Sequence, residues 1–219
     1  MMNRQDELID ALSSKLEPVK PMRHVNAMAL AWVLLSALFV IGATDLAGPL
    51  RPGVFDQLVS NPRFLLETLL GAAAITWVGV AAFRAAIPAA LTKTFMLTGL
   101  ILMGLWLAQY VIGLFHPALE PSTLGVRAAC YFETMAYALP PTLVAILLAR
   151  RFYPLQWLKA AMVFGLTAGM MPALYMQLAC MYEPAHILAF HILPGLAMVF
   201  VGIVVAVIAK PKSTGLEKN

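Results

Sequence analysis

Six apolar runs, at about 26–44, 64–83, 94–115, 128–149, 157–178 and 186–209, constrain this chain more than anything else in it. Each is near the roughly 20 residues that an α-helix needs to cross the hydrocarbon of a bilayer. Only 12% of the 219 residues are charged, against about 25% in a soluble domain, and long windows carry no charge at all. The expected fold is therefore all-α: a polytopic membrane protein of six transmembrane helices with an N-terminal amphipathic helix. Its parts are a segment over 1–24, a membrane domain over 25–209 and a tail over 210–219. The lipid bilayer is its first partner. The formal charge of +4 calls for no direct nucleic-acid contact, because basic residues flanking spans account for it. A cleavable signal peptide is not expected, since the stretch before the first run is long and carries acids as well as bases.

Lysines and arginines set the orientation. With the N-terminus inside, twelve of the fifteen fall in cytoplasmic segments, and only Arg51, Arg63 and Arg127 fall outside, in segments at about 45–63, 116–127 and 179–185. Under the positive-inside rule that bias places both termini in the cytoplasm.

Residues 3–17 read as an amphipathic helix. Leu8, Ile9, Leu12 and Leu16 fall within about 100° of arc and form one apolar stripe. Asn3 caps the start, Asp6 and Glu7 favour the first turn, and Pro18 stops it. So short a helix is marginal in water, and its stripe needs a surface to cover it. The basic residues of this segment are matched by acids, whereas a lipid-surface anchor wants a basic excess. A protein partner is the competing reading.

The only two cysteines occur in one repeated phrase, Ala129-Cys130-Tyr131-Phe132-Glu133 and Ala179-Cys180-Met181-Tyr182-Glu183. On the orientation above both lie at the outer face, Cys130 where span four begins and Cys180 between spans five and six. A Cys and a Glu three residues apart share a helix face, which pairs Cys130 with Glu133 and, if the last helix starts early enough, Cys180 with Glu183. Two outward thiols can form a disulfide, structural or switching. Closing a loop of about fifty residues is worth about 4 kcal/mol in the chain-entropy model, close to the roughly 5.5 kcal/mol that throws a two-state switch. The thiolates could instead bind a transition-metal ion with His186 and with Glu133 or Glu183. His191 is the poorer candidate, because five residues carry it about 140° around an α-helix from His186. His116 lies on the same outer side. Free thiols packed as small apolar groups are the plain alternative. Met170, Met171, Met176 and Met181 read first as core filling and second as a soft-metal or oxidant-sensitive cluster. Glu67 and Glu133 are expected to be paired, since an ionisable group in a span is costly alone. Gly165 and Gly169 form a small-xxx-small pair suited to close helix packing. Pro140-Pro141, Pro172 and Pro194 are expected to kink the last three helices.

No catalytic motif is present, so an enzyme is not expected. Leu8-Ile9-Asp10-Ala11-Leu12 through Leu16-Glu17-Pro18-Val19, six spans, and Cys180-Met181-Tyr182-Glu183-Pro184-Ala185-His186-Ile187-Leu188 with His191 and Pro194 together resemble the NrsF family. The resemblance implies a membrane-embedded anti-sigma factor of the bacterial inner membrane that holds an extracytoplasmic-function sigma factor inactive. It also implies that Cys130 and Cys180 serve the response to metal or oxidative stress, with release of the sigma factor. The stripe of Leu8, Ile9, Leu12 and Leu16 would then help to dock that partner. The rival reading is a six-span transporter or metal-handling membrane protein.

Overall fold

The computed structural model describes residues 4–14, 24–152, 154 and 156–209. Six helices in it are long and apolar enough to cross a membrane. They are α2 (Val25–Ala47), α4 (Pro62–Ala85), α5 (Lys93–Gly113), α6 (Cys130–Ala149, followed by a 3-10 turn to Phe152), α7 (Trp157–Ala179), and a last segment over Pro184–Ile208. Two further helices are short: α1 (Arg4–Ser13) before the first span and α3 (Val54–Ser60) between α2 and α4. The last span is composite, with α8 (Pro184–Ile187), a π-helical turn (Leu188–Ile192) and α9 (Leu193–Ile208) in unbroken succession.

Helix ends follow the local chemistry. The Asn61 side chain accepts from the Phe64 N–H and Pro62 sits at the first position of α4, where a missing N–H costs nothing. Thr92 caps α5 in the same way, by accepting from the Phe95 N–H. Acidic Asp6 and Glu7 occupy the first turn of α1. Leu8 and Ile9 of α1 are each 61% exposed, and α1 takes part in none of the extensive helix–helix contacts among the described residues. Asn3, Leu16 and Pro18 lie outside the described residues, as does the side chain of Leu12.

The bundle is built around α7, which packs against α9, α6, α4 and α2. Its most apolar window is 67% buried, against 22% for the peripheral α5. Between α7 and α9 the backbones touch. A methyl group at Gly165 would collide with the Met198 carbonyl, one at Gly169 with the Gly195 carbonyl, and one at Gly202 with the Ala161 carbonyl. Small residues are what allow such an approach where lipid supplies no hydrophobic drive, as expected of Gly165 and Gly169. At the end of the bundle where α7 begins, Trp32, Phe83 and Phe164 meet at tilted and edge-to-face angles. The Trp32 indole donates to the Pro141 carbonyl at 3.1 Å, which ties α2 to α6. Helix α6 runs continuously through Pro140 and Pro141, and α7 through Pro172.

The two carboxylates expected to be paired are paired. Glu67 receives Arg63 Nε at 3.0 Å, and Glu133 receives Arg127 Nε at 2.9 Å. Glu67, buried to 6% exposure, also faces the Gln109 amide, whose nitrogen, in the amide orientation that satisfies both groups, donates to its two oxygens at 3.1 and 2.9 Å.

A thiol and imidazole cluster at one end of the bundle

Cys130 is the first residue of α6, and Cys180 caps the end of α7. Cys180 lies between the fifth and sixth spans, as expected, directly after the end of α7. Its backbone is extended (φ −100°, ψ 178°), and the last span starts only at Pro184. Cys180 and Glu183 therefore share no helix face. Glu183 is instead the N-cap of α8, accepting from the Ala185 and His186 N–H groups at 3.1 and 2.5 Å. That cap fixes where the helix begins, and so where His186 points.

Both cysteines are free thiols and both are buried. His186 Nε2 lies 3.4 Å from Cys130 Sγ and 3.6 Å from Cys180 Sγ. The His186 ring is stacked on Phe190 at 4.8 Å between centroids, which holds its orientation. His191 completes the group. One ligand atom from each of Cys130, Cys180, His186 and His191 lies within 4.8 Å of the other three. His191 is 0% exposed, and neither of its ring nitrogens has a hydrogen-bond partner among the described residues.

The expectation that His191 turns away from His186 is overturned by the π turn. In a π-helical turn the hydrogen bond runs from residue i to i−5, as seen from the Leu193 N–H to the Leu188 carbonyl. Residues five apart then stack on one face, and the two imidazole centroids stand 5.1 Å apart at 87°. Pro194 supplies a local reason: it lacks an N–H and crowds the carbonyl four residues back, and the wider turn precedes it directly.

The other candidates have different work. Glu133 is held by Arg127, whose guanidinium also donates to the carbonyls of Thr44 and Gly48 at 3.1 Å each. His116 is exposed, stands outside the four-residue group, and offers its carbonyl to Arg63 at 2.6 Å. The methionines divide: Met176 is fully buried against the thiols with Met181 beside it, while Met170 and Met171 belong to the main core.

Loops close this end. Ser122 N–H donates to the Tyr182 carbonyl at 2.9 Å, and Ala118 N–H donates to the Tyr182 hydroxyl at 3.1 Å. Leu50 packs against the cluster of Cys130, Met176, Ala179 and Cys180, and the next residue is Arg51, buried to 2% exposure. Sequence reasoning missed Arg51. Its guanidinium lies over the rings of Phe64 and Tyr182 at 5.7 and 5.6 Å and donates to Gln57 at 2.8 Å, while Nε and Nη1 have no partner. Burial pulls its pKa below the usual arginine value, with Tyr182 and Cys180 acting in the opposite sense. The Cys180 thiol is lowered, first by the neighbouring Cys130 thiol and further by His191, against the opposing effect of burial.

The donor set suits a tetrahedral ion. With metal–sulfur bonds of about 2.3 Å and metal–nitrogen bonds of about 2.0–2.1 Å, a tetrahedral site has sulfur–nitrogen edges of roughly 3.6 Å. The two edges from His186, 3.4 and 3.6 Å, match that figure. An orphaned, fully buried imidazole aimed at two thiols is otherwise hard to explain, because a buried polar group without a partner costs stability.

Fold and site together define a polytopic α-helical membrane protein with a buried thiol–imidazole cluster at one end. The profile of NrsF, described as negative regulator of sigma F, matches residues 12–209. The chain belongs to the NrsF family, a family of negative regulators of a sigma factor. No curated protein and no solved structure matches it.

Proposed function

We infer that this protein is an anti-sigma factor of the bacterial inner membrane, with both termini cytoplasmic. It holds an extracytoplasmic-function sigma factor at the inner face and releases it when Cys130 and Cys180, facing outward, capture a transition-metal ion. The observation that carries the metal arm is the convergence of two thiols and two imidazoles. The twelve-to-three distribution of basic residues supports the orientation. The exposed stripe of α1, represented by Leu8 and Ile9, supports a cytoplasmic docking role.

In the resting state Cys130 reaches the cluster from α6, whereas Cys180, His186 and His191 come from the α7–α9 pair. Ion capture draws the start of α6 toward α7 and α9. Helix α6 meets α2 through Trp32 and Pro141, and α2 leads back to the N-terminal segment. Oxidation is a second reading, favoured by the proximity of the two sulfurs, which lie within 4.8 Å of each other. There the two thiols would lose two protons and two electrons to an external oxidant and form one S–S bond.

The test is co-purification of the detergent-solubilised protein with its sigma factor. Binding is expected to fall when the protein is loaded with zinc or copper(I), and Cys130→Ser/Cys180→Ser is expected to hold the partner under either condition. Release of the sigma factor from the double variant to the same extent as from the wild type would overturn the sensing role. A six-span transporter would instead show substrate flux in proteoliposomes and no cytoplasmic partner.

A further inference from the structure

The three arginines outside the basic cytoplasmic segments differ in how their charge is met. Arg63 has Glu67 and Arg127 has Glu133. Arg51 has no carboxylate partner among the described residues, and it is the most deeply buried of the three. Among the described residues its guanidinium hydrogen-bonds to the neutral Gln57, and two of its nitrogens have no partner. A buried, unpaired cation is costly, and such a charge is kept where something anionic forms beside it. The anion available here is the thiol pair. Leu50 packs against the small cluster that holds both cysteines, Arg51 lies over the ring of Tyr182, two residues from Cys180, and the guanidinium interacts electrostatically with Cys180.

Charge arithmetic then separates the ions that the geometry leaves equal. Both thiols lose a proton on ligation, and both imidazoles bind neutral. A divalent ion with two thiolates makes a neutral centre and leaves Arg51 uncompensated. A monovalent ion makes a centre of charge −1, which Arg51 balances. The soft thioether of Met176, fully buried in the same cluster, adds to the preference for a soft ion.

We propose that Arg51 is a specificity-determining residue that selects a soft monovalent cation of the copper(I) or silver(I) class over a divalent one at Cys130, Cys180, His186 and His191. The reaction is two thiols plus M⁺ giving a bis-thiolate centre plus two protons released to water, with no change of oxidation state. This rests on the metal reading above and adds the charge of the ion.

The experiment measures copper(I) and zinc affinity of the full-length protein in detergent by chelator competition, for the wild type and two variants. Arg51→Met removes the charge. Gln57→Glu leaves Arg51 in place and gives it a carboxylate of the same shape at a half-buried position. Thiolates favour copper(I) in any site, so the readout is the change in the copper-to-zinc affinity ratio. Both variants are expected to lower that ratio on the order of tenfold or more, the scale of one unit-charge interaction in a partly buried site. Gln57→Glu alone serves if Arg51→Met fails to fold. A ratio unchanged in Gln57→Glu, or an equal loss for both ions, overturns the role of Arg51 while leaving the metal site standing. Failure of the wild type to bind either ion overturns the metal reading itself.

Discussion

His191 carries two buried nitrogens with no hydrogen-bond partner, and a polar group kept at that cost should be removable at a gain. His191→Leu, of similar volume, is expected to raise the stability of the ion-free protein by about 1–2 kcal/mol while weakening ion binding by at least about tenfold. Thermal unfolding and chelator competition on the same sample read both; a lower melting temperature would mark His191 as structural. Arg127 makes the opposite case. It is half-buried with Glu133 and donates to three backbone carbonyls, so Arg127→Met should cost about 1–3 kcal/mol, as leaving partly buried acceptors without their donor does. The cysteine pair, His186 and the pairing of Glu67 and Glu133 could all be read from residue type and spacing. Arg51 could not be weighed, because a count of basic residues per side says which arginines are unexpected and nothing about which of them lacks a carboxylate. Glu183 was misassigned for a related reason: a carboxylate three residues from a cysteine looks like a ligand until Pro184 shows that it caps a helix.

At the scale of the helix, the six spans were legible because charge-free length is a one-dimensional property. Their ends shifted by a few residues, while Cys180 sits between the last two spans as expected. The π turn was not legible from periodicity. A constant 100° per residue sends residues five apart away from each other, and only the spacing His186-x4-His191 with Pro194 three residues beyond hints at a wider turn. Deletion of Ala189 removes the residue that the π turn absorbs and leaves the two imidazoles four residues apart on one face of a regular helix, so it is expected to preserve both ion binding and the bundle; ion titration and circular dichroism check the two halves of that statement, and loss of binding would show that the π geometry itself is required. The glycine seam makes a second demand. Gly169→Val places methyl groups against the Gly195 carbonyl and should destabilise the protein by about 1–3 kcal/mol or more, since backbone must move. A thermal melt near wild type would show that α7 and α9 are freer than their packing indicates.

Across the whole molecule, the α7–α9 pair is a single stiff body that brings three of the four ligands, and α6 brings the fourth. Hydrogen exchange is therefore expected to slow at the start of α6 on ion loading, with little change along α7, whose amides are already protected. At the far end of the chain, Ile9→Asp should reduce co-purification with the sigma factor and leave ion affinity unchanged, because α1 takes no part in the bundle's extensive contacts. Undiminished co-purification would remove α1 from the docking surface.

The π turn between His186 and His191 also acts as a phase shifter within the last span. Every residue after it is rotated by one residue's worth of angle relative to an uninterrupted helix. Gly195 and Gly202 must face α7 for the seam to close, while His186 must face the sulfurs, and one regular helix does not meet both requirements with His191 between them. The extra residue uncouples the two, so the sensing end and the packing end of the same helix can each be set without disturbing the other.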